Sequence, residues 1–219
     1  MINKYALLTI LVTSNIFAQD LQICLPDTDL NPSQRFSVEI IQTDRGDYKV
    51  VNDRGTGLQW SYCLVGQQLG ADQNSCEGQP TVNNQHFLDI LQSENLSLDA
   101  PNKSWRLPNV KELLSIYNDR CVPAVYPNFH YSFGMSDAEI NQLVNMVIDR
   151  RLPADEKERL RAEIARAKTY KGLNLLSDSS SSPDGDTYYT VTFNGISSPI
   201  IGGNNLGMLR LVREIPAVR

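Results

Sequence analysis

Four cysteines, Cys24, Cys63, Cys76 and Cys121, constrain this chain more than any other feature. Their meaning depends on compartment, because disulfides persist outside the reducing cytosol and rarely within it. The N-terminus bears on that. Lys4 gives a short positive start, Tyr5 to Val12 reads YALLTILV, and Thr13 to Ala18 is more polar and ends in a small residue. This is the pattern of a secretory signal, with cleavage after Ala18 leaving Gln19 first. Residues 1–18 are therefore expected to be a signal peptide, and residues 19–219 the mature chain. Lipid attachment at Cys24 is not expected, since Leu21-Gln22-Ile23 lacks the small residues of a lipoprotein signal.

An even cysteine count in an exported chain points to two disulfides, and four cysteines allow three connectivities. Spacing alone does not choose among them. Cys63 and Cys76 lie 13 positions apart across a polar stretch containing Gly66 and Gly70, which reads as a stapled loop. Cys24 with Cys121 would then tie the start of the domain to its middle. In the chain-entropy model, closures of these sizes stabilise by roughly 3 and 4.7 kcal/mol. Zinc fails on pattern. There is no C-x₂₋₄-C pair, and the only histidines, His86 and His130, are far apart.

Removing residues 1–18 removes Lys4 and no acid, which leaves 19 basic and 25 acidic residues and a net charge of −6. An acidic chain lacks the counterion-release term that drives binding to polyanions, so nucleic acid is excluded as a general partner. A hydrophobic content of 41% is enough for a packed core. After the N-terminus no run reaches the ~18 apolar residues of a spanning helix.

Residues 19–34, with Pro26 and Pro32, read as an extended lead-in. Phe36 to Ile41 and Tyr48 to Val51 have strand character around a turn at Asp44–Asp47, and a second turn at Asp53–Gly57 delivers Leu58 and Trp60 to one face of a short strand. Asn84 to Leu96 has helical spacing, with Phe87, Ile90 and Leu91 on one side. Trp105-Arg106-Leu107-Pro108 reads as a short apolar strand. Asn109 then caps a helix, with Glu112 completing a capping box and Leu113, Ile116 and Tyr117 on the buried side.

Ser136 to Lys168 reads as a helical hairpin laid against the domain. Ser136 and Glu139 form another capping-box pattern. Ile140, Leu143, Val144, Val147 and Ile148 form the stripe of the first helix. Pro153 is expected at N1 of the second, which is supported by an Asp155–Arg159 pair and has Leu160 and Ile164 as its only large apolar residues. Ser177 to Asp186 reads as a loop. Tyr189, Val191 and Phe193 alternate as a strand before an Asn194-Gly195 hairpin turn. Met208 to Arg213 reads as one final strand with apolar residues on both faces.

Several strings now line up. Val51-Asn52-Asp53-Arg54-Gly55-Thr56-Gly57-Leu58-Gln59-Trp60 is followed closely by Cys63. Trp105-Arg106-Leu107-Pro108-Asn109-Val110-Lys111-Glu112-Leu113 follows, then Ile116 and Cys121, then Tyr189 to Gly195 and the closing Arg210-Leu211-Val212-Arg213. In this order they resemble the Lcl C-terminal domain family, named after a collagen-like bacterial adhesin, over residues 24–129 and 173–213. The resemblance implies a compact α+β domain related to the C-type-lectin-like fold, with small antiparallel sheets and two short helices. It implies secretion or surface display, often in adhesion. It also favours pairing Cys63 with Cys76 and Cys24 with Cys121. Two departures stand out. The strand at Leu175-Leu176-Ser177 lacks the tryptophan usual in relatives, and residues 136–168 look like a helical insertion.

No nucleophile elbow, P-loop, HExxH or EF-hand loop is present. His86 reads as a surface or half-buried helix residue. Asp184 and Asp186 are the only calcium candidates, and two carboxylates are too few to specify a site, so a plain turn is the competing reading. Strand alternation sets Arg106 opposite Trp105 and Leu107, and an ion pair with Glu112 is expected to fix the strand-to-helix corner. Trp60, Arg210 and Arg213 complete the structural motif set. Tyr126, His130, Tyr131 and Phe133 crowd one loop, and Tyr126, Tyr131 and Phe133 are the candidate ligand contacts; packing under the helical hairpin is the competing role. No cofactor and no metal are expected.

Three functions fit these readings. The leading one is a non-catalytic binding or adhesion domain that recognises a protein or glycan at the cell surface or in the periplasm. The second is an interaction subunit of a surface assembly such as a pilus. The third is an enzyme of the formylglycine-generating type, which shares a lectin-like fold but needs reactive free cysteines.

Overall fold

The longest strand pairing forms where β-branched and aromatic residues flank Asp44-Arg45. A computed structural model describes residues 22–83, 87–99, 102–129, 137–148, 150–171, 173–184, 187–193, 199–203 and 206–217. Its elements begin with β1 (Ile23–Cys24), β2 (Phe36–Thr43), β3 (Gly46–Asp53), β4 (Leu58–Ser61), β5 (Gln68–Leu69), β6 (Cys76–Glu77) and β7 (Val82–Asn83). Helices α1 (Phe87–Leu98) and α2 (Val110–Ser115) follow, then β8 (Cys121–Val122) and the hairpin of α3 (Asp137–Ile148) and α4 (Ala154–Lys171). The chain closes with β9 (Asn174–Ser180), β10 (Tyr188–Thr192), β11 (Ile200–Gly203), β12 (Gly207–Met208) and β13 (Val212–Glu214). The protein is an α+β fold.

A four-stranded sheet runs β13-β4-β3-β2, and a five-stranded sheet runs β11-β10-β9-β12-β7. Two small ribbons, β1-β8 and β5-β6, carry Cys24, Cys121 and Cys76, and Cys63 lies between β4 and β5. Pairing is antiparallel except between β12 and β9. One core cluster gathers Phe36, Val51, Trp60, Leu113, Ile116, Phe129, Leu175 and Val191. A second gathers Val50, Phe87, Trp105, Leu107, Leu176, Leu209 and Leu211 on the other side. Val50 and Val51 are successive strand residues, so they enter opposite clusters, and β3 is buried on both faces.

Several expectations need correction. Met208 to Arg213 is not one strand. It is a crossover from β12 in the larger sheet to β13 in the smaller one, so Leu209-Arg210-Leu211 is buried without lying in a ladder. Residues 177–180 belong to β9, because Ser177 is buried and donates its hydroxyl to the Tyr189 carbonyl of β10. The Trp105–Pro108 segment makes only one bridge, Arg106 to Val212.

In the helical hairpin, Ile140 and Ile164 are buried together with Leu143, Val144 and Val147 against them. Ile148 is 69% exposed and is not part of that stripe. Pro153 caps α4 and does not start it, since its carbonyl accepts the first helical bond from the Lys157 amide. Arg159 pairs with Glu156, one turn back, and not with Asp155. The signal segment, His86, His130, Ser136 and Asn194-Gly195 lie outside the described residues, as does the side chain of Glu139.

Candidate functional site

Both disulfides are present, Cys24–Cys121 and Cys63–Cys76, so all four cysteines are consumed. Cys24 and Cys121 are register partners in the β1-β8 ribbon. No thiol remains for cysteine chemistry.

The DRGTG turn is built around Asp53. Arg35 Nε and Nη2 donate to its two oxygens at 2.6 and 2.5 Å, and the Gly55 amide and Thr56 hydroxyl add bonds of 2.9 and 2.8 Å. Burial pushes the Asp53 carboxyl up, but these donors outweigh it and hold the group below the usual carboxylate range. Gly57 closes the turn at φ +73°, a conformation that favours glycine.

At the WRLPN corner an ion pair joins Arg106 to the first turn of α2. Arg106 Nη1 and Nη2 donate to the Glu112 oxygens at 2.8 and 2.7 Å. Glu112 also accepts the Asn109 amide at 2.8 Å while Asn109 accepts the Glu112 amide, so the ion pair and the capping box share one carboxylate. Trp105 and Leu107 are buried on the opposite side. The Arg106 side chain is 41% exposed, however, so this is not a fully buried pair. Arg106→Ala should cost only about 1 kcal/mol, whereas Glu112→Ala, which also removes the cap, should cost about 2 kcal/mol. Paired thermal melts check this, and equal effects from the two variants would show that the cap adds nothing.

Arg210 is 0% exposed and donates to the carbonyls of Ser61, Tyr62 and Phe129, which ties the crossover to β4 and to the turn at Pro127–Phe129. Arg213 sits 4.5 Å from the Trp105 ring centroid, donates to Gln59 at 2.7 Å and pairs with Asp99 at 3.3 Å. Trp60 meets Phe129 edge-on at 5.6 Å. Trp60, Trp105, Leu107 and Arg210 are buried in the frame of the domain.

Of the aromatic loop, Tyr126 is described, and its ring packs on Phe36 at 4.9 Å against the first core cluster. Tyr131 and Phe133 lie outside the described residues. Asp184 lies on an exposed turn, and Asp186 is outside the described residues. Among the described residues no group of three or more His, Cys, Asp or Glu side chains can hold a metal ion.

A concavity among the described residues lies elsewhere. A cleft of about 340 Å³ opens between β3 and the loop stapled by Cys63–Cys76. Asp47, Tyr48 and Lys49 of β3 line one wall, and Gln68, Leu69, Gly70, Ala71 and Gln73 line the other. Lys49 holds the loop tip, donating to the Gln73 carbonyl at 2.5 Å and the Asn74 side chain at 3.2 Å, with Nζ 4.1 Å from the Tyr62 ring centroid. Burial lowers the Lys49 pKa. Arg45 at the rim is clamped by both Glu94 oxygens at 3.0 Å, and Asp47 accepts from Gln42 at 2.7 Å. The charged groups are thus engaged within the protein, and Gln68 and Gln73 line the cleft beside them. Sequence reading missed this site. The one available signal was that a stapled loop must lie against a neighbouring strand.

Lys49→Met should free the loop tip. Faster exchange of the loop amides at Asn74 and Ser75, with little change in melting temperature, is the expected result by hydrogen exchange.

A disulfide-tied α+β domain with a small polar cleft is the class that fold and site define. The family model described as the Lcl C-terminal domain matches residues 49–213, and the chain belongs to that family. No curated protein and no solved structure matches it.

Proposed function

We propose that this is an exported, non-catalytic binding domain that acts outside the cytoplasm and recognises a protein or glycan in the cleft between β3 and the stapled loop. The cleft is the observation that carries this reading. It sets glutamine side chains beside a covalently restrained wall, and polar groups held in place in a concavity orient ligands. Membership of the Lcl C-terminal domain family and two disulfides support an address in the periplasm or at the surface. Among the described residues no helix is long and apolar enough to cross a membrane. Cleavage after Ala18, with 136–168 as an insertion in a single mature domain of lectin-like ancestry, belongs to the same reading.

The test is a glycan array and a surface pull-down with the exported chain. The Gln68→Ala/Gln73→Ala double variant should lose about tenfold or more in affinity, while a chain lacking residues 136–168 should bind normally. Undiminished binding by the cleft variant would end the proposal. Met146 and Ile148, exposed near the end of α3, favour a second reading, in which the hairpin docks a partner subunit of a surface assembly such as a pilus. Loss of all binding in the deletion would select it.

A further inference from the structure

The outer edge of β2 is a long open strand edge, blocked only at Phe36, whose amide and carbonyl are bonded by the Asn31 side chain, and carrying one charge, Glu39. β2 ends the four-stranded sheet and runs for eight residues without proline, lysine or a register shift. Edge strands of that length are ordinarily blunted by such devices, because their free N–H and C=O groups template pairing with another chain. The direction of those groups follows from the ladder. The Arg54 amide bonds to the Arg35 carbonyl at 3.0 Å, one step beyond the Phe36–Asp53 pair. Hydrogen-bonded pairs alternate in an antiparallel ladder, so Ser37, Glu39, Ile41 and Thr43 exchange bonds with β3. Val38, Ile40 and Gln42 therefore aim their amides and carbonyls at the open edge. Val38 and Ile40 are also 41% and 38% exposed and project from the same face.

We infer that β2 pairs antiparallel with β2 of a second copy, about a twofold axis at Ile40. This register sets the two Ile40 residues opposite each other and each Val38 opposite Gln42, so every edge-facing group on these residues finds a partner. Glu39 falls opposite Ile41, and no like charges meet within the strands. A twofold axis at Glu39 would pair Val38 with Ile40 but set two carboxylates directly opposite each other. An axis at Val38 would pair Gln42 with Gln34, which lies outside the strand. Strand-edge contact covers less surface than the ~800 Å² per partner of a stable interface, so the dimer forms only at high local concentration.

Sedimentation velocity of the exported chain over a micromolar-to-millimolar series tests this, together with hydrogen exchange at both ends of the series. The expected result is a concentration-dependent dimer in which the Val38, Ile40 and Gln42 amides become protected. Ile40→Pro removes an outward N–H and leaves the β2-β3 ladder intact, so it should weaken association about tenfold or more. Intact disulfides and unchanged fluorescence of the buried tryptophans report that it has folded, and Ile40→Lys takes its place if it does not. A monomer throughout, a dimer as strong in the folded Ile40→Pro or Ile40→Lys protein, or unprotected amides in the dimer would overturn the inference.

Discussion

Replacing Cys24 and Cys121 together by alanine is expected to lower unfolding free energy by about 4–5 kcal/mol. The bond joins residues 97 positions apart, and the loop it closes contains β2 through α2. Without it, β1 and β8 form a ribbon of only two register pairs, too short to hold by itself. The same change at Cys63 and Cys76, 13 positions apart, should cost about 3 kcal/mol and loosen the wall of the cleft. Urea unfolding of both pairs of variants checks the order. A smaller effect for Cys24/Cys121 would mean that the long closure does not constrain the unfolded chain as the entropy model requires.

Asp53→Ala is the second change with a large expected effect, about 3–5 kcal/mol, because it leaves Arg35 without its carboxylate and strips the DRGTG turn of two further bonds. The Arg35 side chain is 20% exposed, which places the loss toward the lower end. Removing one partner of such a pair costs more than the pair itself contributes, since the remaining charge stays desolvated. The pH dependence has a definite sign. At Asp53, Asp99 and Glu112, burial pushes the pKa up and hydrogen bonds and arginine charges more than reverse it. Each lowered carboxylate contributes stability that is present above its unfolded value, about 4, and is lost as pH falls through its folded value. Asp178 runs the other way. Burial raises it, so its contribution is lost as pH rises through its folded pKa. Hydrogen bonds from Ser75 and the Asn74 amide lower exposed Asp72 as well, so the lowered carboxylates outnumber Asp178, the melting temperature should fall below pH 4, and Asp53→Ala should flatten that fall.

Local chemistry was legible in the sequence where neighbours decide the structure. The Asn109–Glu112 cap and the Arg106–Glu112 pair span few residues, so strand alternation and helix spacing were enough to find them. Long-range packing was not legible in the same way. Met208 to Arg213 has the apolar density of a central strand, but that density arises because the segment passes between two sheets. The Ser run was read as a loop from composition, whereas its first residues are held in β9 by pairing with β10. Ile148 fits the helical period of its stripe and still faces solvent, because the stripe's partner, α4, has few apolar residues to cover it. The cleft was invisible for a related reason. Its walls come from β3 and the stapled loop, and nothing in the local spacing of Lys49 or Gln73 announces that the two meet.

The most direct measurement is the intact mass of the protein from its native cells after alkylation without reductant. Two closed disulfides and no alkylated sulfur are expected, with reduction then exposing four reactive thiols. Four alkylated cysteines in the unreduced material would contradict it, because the frame of the domain, the restrained wall of the cleft and the proposed export all rest on those two bonds.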